Sequence, residues 1–207
     1  MSNKKDRLIG LMKTAQAEFG DKFLVYAIPE IMSKKFIAYC SMSEDMKLIL
    51  EYISLLRTKP LHTIESSLSY SLISLYGKCF TDASKNSYPK LESNIFAGKA
   101  DLLKTHEYLM DLRHQFIAHR GNTESEIGVA FMLIPKDKDD TQTQIQFLQV
   151  KQKSFSDEDL DKFETLMKFI TDWLAEKIQK SGEKLRDGFF NSFTPEEISA
   201  MLLNNAK

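Results

Sequence analysis

The sequence predicts a mainly α protein with one β-hairpin inserted near residues 127–151. Three observations predict it. The chain holds only 8 glycines and 5 prolines among 207 residues, about half of average usage, so turns are scarce. Apolar residues recur every three or four positions through most of the chain, the spacing of one helical face. A single pair of β-rich apolar runs, Ile127–Ile134 and Gln144–Lys151, is joined by a polar link.

The elements follow in order. Leu8, Leu11, Met12 and Ala15 mark a first helix over residues 4–19, with Gly20 at the C-cap position. Residues 23–40 are apolar and ambiguous, and Pro29 marks a break or a helix start. Ser43-Glu44-Asp45-Met46 opens a third segment, with Met46, Ile49, Leu50, Ile53 and Leu56 on one face. Pro60 separates it from a helix over residues 61–80, whose seam is Leu61, Ile64, Leu68, Leu72, Leu75 and Cys79. Ser67, Ser71 and Ser74 line the neighbouring face. Residues 81–100 form the longest loop. Asp101 opens a helix that runs to Arg120, and Gly121-Asn122 ends it. Ser156-Asp157-Glu158-Asp159 begins a helix with the seam Leu160, Phe163, Met167, Ile170, Leu174 and Ile178. Trp173 lies on it and reads as core. Thr194-Pro195-Glu196-Glu197 is a capping box that starts a short terminal helix over 194–204. Nothing demands a second domain, so residues 1–207 read as one helical domain.

Composition narrows the function. Lys+Arg number 28 against 29 Asp+Glu, so no global basic field draws nucleic acid, and any such contact needs a local patch. Cys40 and Cys79 form no metal-binding spacing and staple nothing, which suits a reducing compartment. The apolar stretch after the charged N-terminus is too short for a secretory signal. The longest apolar run, Ile127–Ile134, falls well short of the roughly 20 residues a membrane-spanning helix needs. The expectation is a soluble, cytoplasmic protein with no membrane partner.

Chemistry concentrates in the 101–120 helix. It carries three of the four histidines, His106, His114 and His119, together with Arg113 and Arg120. One row reads Leu103, His106, Met110, Arg113, Ile117, and the adjacent row Leu109, Leu112, Phe116, His119. Each is an apolar seam interrupted by a polar residue. Burying an unpaired charge is costly, so Arg113 requires a partner, a wet cleft or a ligand. On a straight helix His119 sits about 120° around from Arg113 and about 9 Å along the axis. A frayed last turn, a long arginine side chain, or a second copy of the helix in a dimer would bring them together. The plainer reading is that His119 and Arg120 complement the helix dipole. His114 and His119 are five apart, and no Asp/Glu–His pair completes a metal site, so neither a metal nor a cofactor is expected.

The segment Leu112-Arg113-His114-Gln115-Phe116-Ile117-Ala118-His119-Arg120-Gly121 resembles the signature of the HEPN superfamily, an Arg followed after four to six residues by a His near a helix end. Tyr76-Gly77-Lys78-Cys79-Phe80-Thr81 resembles the Tyr-Gly-Arg-Cys-Phe segment of its abortive-infection-like branch, in which a His also precedes the Arg, as His106 does here. The resemblance covers about residues 45–185. It implies a HEPN-like antiparallel helical bundle as the core, with N-terminal helices over 4–40 and the 194–204 helix as additions. It also implies a metal-independent endoribonuclease in a toxin or antiviral-defence role, whose site forms where two motif helices meet in a homodimer. Its partners would be RNA and a cognate antitoxin.

The resemblance makes Arg113 and His119 the catalytic pair, with His106, His114, Lys78, Tyr76 and Arg120 as binding residues. The chemistry suits these types. Histidine takes or gives a proton near neutrality, and arginine holds phosphate with two parallel hydrogen bonds. The alternative is a non-catalytic helical module for RNA or nucleotide binding or for dimerisation. His114, where relatives usually carry Asn, and Lys78, where Arg is usual, favour that alternative. Tyr76 and Phe80 read more simply as packing residues, and Cys79 shows no activating neighbours.

Overall fold

The computed structural model describes residues 4–23, 25–81, 88–114, 126–135, 144–151, 154–194 and 196–197. These form five α-helices and one hairpin: α1 (Lys4–Phe19), α2 (Glu30–Arg57), α3 (His62–Phe80), α4 (Ala100–Leu112), β1 (Glu126–Leu133), β2 (Gln144–Lys151) and α5 (Asp157–Asn191). A 3-10 turn over Ser93–Phe96 precedes α4. The protein is thus mainly helical with one two-stranded antiparallel sheet. None of the described helices is long and apolar enough to cross a membrane.

The chain divides into two compact units. The larger is Tyr39–Glu176, and the smaller joins the residues up to Ala38 to those from Lys177 onward. Helices α2 and α5 each contribute to both. In the smaller unit α1 exposes Leu8, Leu11, Met12 and Phe19 to solvent, and the ring of Phe36 borders Gly182.

The larger unit holds the main core. Its α2 row is Tyr39, Met42, Met46, Ile49, Ile53 and Leu56, all buried and alternately three and four residues apart. Leu160, Phe163, Met167, Ile170 and Leu174 of α5 repeat that spacing and are equally buried. Stripes of this kind mesh along neighbouring helices and remove a continuous apolar surface from water. The guanidinium of Arg57, in the last turn of α2, reaches Asp161 at 2.6 Å and Glu164 at 2.7 Å on α5. α5 starts on a reciprocal cap: the Asp159 amide donates to Ser156 Oγ (3.1 Å), and the Ser156 hydroxyl and amide donate to Asp159 Oδ2 (2.6 and 3.2 Å). Trp173 is half-buried, edge-on to Tyr39.

Several sequence expectations need correction. No new segment opens at Ser43, because α2 runs unbroken from just after Pro29. Ser43 is buried inside the continuous row, and that burial outweighs its local capping tendency. The buried face of α3 is Ser69, Leu72, Ile73, Tyr76, Gly77 and Cys79, rotated away from the predicted seam, and Leu61 and Ile64 stay exposed. Regular α-helix in α4 runs to Leu112, Arg113–His114 form a wider π-type turn, and the expected continuation to Arg120 lies outside the described residues. The loop before α4 contains the 3-10 turn, and α5 continues past the predicted seam, which ends at Ile178, to Asn191.

The hairpin keeps its predicted strands, with Ile127 opposite Val150 and Leu133 opposite Gln144. The terminal capping box also forms: the Thr194 amide donates to Glu197 Oε2 (2.8 Å), and the Glu197 amide to Thr194 Oγ1 (3.2 Å). The rest of that expected helix lies outside the described residues.

Candidate functional site

Gly77 and Arg113, one from each of the two segments that carry the resemblance, meet where α3 packs on α4. A Cβ placed on Gly77 would overlap the Cγ, Cδ and Nε of Arg113. Only hydrogen at position 77 leaves room for the arginine stem to lie across α3. Arg113 is half-buried there. Among the described residues no carboxylate pairs with its guanidinium. An arginine whose stem is seated and whose head has no carboxylate partner among the described residues is placed to donate paired N–H bonds to a phosphate or carboxylate.

The residue before Gly77 belongs to a buried polar pair. The hydroxyl of Tyr76 is 2.6 Å from Nδ1 of His106. Tyr76 is wholly buried and His106 nearly so. Burial drives the Tyr76 phenol well above its ordinary value and holds His106 below the ordinary imidazole range. Both are therefore neutral at pH 7. Phenol is the stronger acid and imidazole the stronger base, so we assign the hydroxyl as donor and Nδ1 as acceptor, with the ring proton on Nε2. Phe80 and Phe96 both pack on the imidazole, with ring centroids 4.5 and 5.0 Å away. Tyr76 has no face open to a base.

The Lys78 ammonium donates to Asp45 Oδ2 of α2 at 2.8 Å, and Asp45 is mostly buried. Lys78 therefore ties α3 to α2 and is not brought to Arg113 by that bond. Cys79 is buried, and its thiol is pushed up to about 12, mainly by desolvation and then by the charge of Asp45, which leaves it inert as a nucleophile. His114 is exposed beside Arg113 in sequence. His119 and Arg120 lie outside the described residues.

Of the predicted set, the structure thus joins Tyr76 to His106 and seats Arg113 on Gly77, the residue next to Tyr76. Sequence reasoning missed Gly77 and Phe96 as members. Gly77 did leave a signal: a glycine inside a helix costs about 1 kcal/mol relative to alanine, and such a position marks a close approach. Phe96 left none, because it arrives from a 3-10 turn inside a polar loop. Among the described residues no three His, Cys, Asp or Glu side chains are grouped to hold a metal ion. No protein-family model matches this sequence, and no curated protein or solved structure is significantly similar to it.

Proposed function

We propose that the chain is a HEPN-like, metal-independent endoribonuclease in a toxin or antiviral-defence role, acting as a homodimer with Arg113 and His119 at a shared site. One observation carries this reading. Arg113, the first residue of the Arg-x5-His signature, is half-buried, seated on Gly77 of the Tyr-Gly segment, and has no carboxylate partner among the described residues.

RNA cleavage without a metal needs a base to take the 2′-hydroxyl proton, an acid to protonate the departing 5′-oxygen, and a cation for the phosphorane charge. Arg113 supplies the cation through paired N–H donors. His119 has the intrinsic basicity for either proton transfer near neutrality. In a twofold dimer the residue occurs twice, so one copy serves as base and its mate as acid. Tyr76 and His106, neutral and bonded to each other, join α3 to α4 next to Gly77 and exchange no proton with substrate.

The second reading, a non-catalytic helical binding or dimerisation module, is favoured by the fit of Arg113 over Gly77, which also suits a purely structural anchor. The test separates the two. Purified wild type is expected to cleave single-stranded RNA in EDTA. Arg113→Ala and His119→Ala should each lose about 100-fold or more of that activity, the scale of a missing acid–base or charge-stabilising group, with unchanged melting temperature. Stable variants without loss of activity reject the catalytic reading. Variants that unfold, with no RNA turnover by wild type, establish the structural one.

A further inference from the structure

Among the described residues, the apolar side chains on both faces of the hairpin are exposed. Antiparallel register puts Ile127, Val129, Phe131, Leu133, Leu148 and Val150 on one side. The two remaining positions of that side are glutamines, so the face carries no charge. Its six apolar residues are 42% to 75% exposed, far from what a core strand shows. An isolated two-stranded hairpin is marginal in water and gains stability only by packing a face on something. The opposite face also exposes Met132, Ile145 and Phe147, but Gly128 and Gln149 interrupt it and the Glu126–Lys151 pair ends it, so the charge-free face is the broader apolar patch, and such a patch marks an interaction surface.

We propose that this face stacks on the same face of a second copy of the chain, forming a two-layer β interface across a twofold axis. Three features select a second copy. The first is charge: an uncharged face meets its own duplicate without like-charge repulsion, whereas a polar or charged partner would leave desolvated groups unpaired. The second is area. The six residues expose roughly 600 Å² per copy, and two copies together reach about 1,200 Å², the lower bound of a stable specific interface. The third is shape. A twisted two-stranded ribbon packs well on a ribbon of the same twist at about 10 Å separation, and an isologous contact closes at two copies without growing into a fibre. A single peptide strand added at an edge would satisfy backbone groups and leave the apolar face wet.

The inference does not rest on the ribonuclease reading, because subunit mass and RNA cleavage are measured separately. The experiment is sedimentation of the full chain at micromolar concentrations. Wild type is expected to be a dimer. Val129→Glu with Leu148→Glu, a cross-strand pair on this face, should weaken it by about 100-fold or more, since each carboxylate would be buried unpaired. Ile145→Gln, on the opposite face, should leave it unchanged. Should the double variant lose its helical circular dichroism, hydrogen exchange of wild type replaces it: amides of 127–133 and 144–150 should gain protection as concentration rises through the dimerisation range. A monomeric wild type, a dimer indifferent to the glutamates, or exchange independent of concentration overturns the proposal.

Discussion

A methyl group at position 77 would overlap the middle of the Arg113 side chain, so Gly77→Ala sets two effects against each other. Alanine gains up to about 1 kcal/mol of helix propensity. Against this stands the overlap, which a flexible arginine relieves by swinging to another rotamer. We therefore expect a melting temperature within a few degrees of wild type but a displaced Arg113. RNA cleavage should fall as far as in Arg113→Ala, measured on the same substrate. The buried Tyr76–His106 pair behaves differently, because it cannot move. Tyr76→Phe leaves His106 Nδ1 buried without its donor, at a cost of about 1–3 kcal/mol in urea unfolding. Tyr76→Phe with His106→Leu removes both polar groups and should recover part of that loss. The pair also sets a pH dependence. His106 is held below the ordinary imidazole value in the fold, so the unfolded chain takes up its proton first as pH falls. Its contribution is complete above about pH 6.5 and declines as pH drops toward the depressed native value. The double variant should lack that part of the acid destabilisation.

At the scale of elements, local signals and packed surfaces compete. Ser156 and Asp159 make their cap with bonds confined to four residues, and the helix start they mark was legible in the sequence. Ser156→Ala should cost about 1 kcal/mol, read as a lower urea midpoint with an unchanged slope. Ser43 carries a similar local signal, yet α2 passes through it, because the Tyr39–Met42–Met46 row buries the turn. α3 tells the same story in rotation. The predicted seam counted leucines, but burial follows Tyr76 and Gly77, where the helix meets α4. A fully buried tyrosine with a bonded hydroxyl and a glycine that admits a neighbour outweigh two exposed aliphatic residues at the frayed start of the helix.

For the whole molecule, the near balance of 28 basic and 29 acidic residues leaves recognition to particular places, not to a global field. Two such places stand out. One is the Arg113 head at the α3–α4 contact, without a carboxylate partner among the described residues. The other is the uncharged hairpin face, whose expected outcome is a dimer that glutamates at positions 129 and 148 dissociate. The proposed chemistry needs two motif segments in one assembly, and the hairpin follows the motif directly in the chain. A hairpin-mediated dimer would therefore couple assembly to activity, and dilution below the dimerisation range should then lower cleavage per subunit.

The sequence alone determined what short-range forces decide. These are the dominance of helix, the limits of α1, the start and seam of α5, the capping box at Thr194, and the pairing of β1 with β2. Each rests on periodicity or on hydrogen bonds spanning a few residues. Tertiary structure decided the continuity of α2, the rotation of α3, and the meeting of Arg113 with Gly77 and of Tyr76 with His106. The partners in those contacts lie thirty or more residues apart. Local spacing carries no term for them, and they exist only once close packing excludes water and makes an unpaired buried polar group costly.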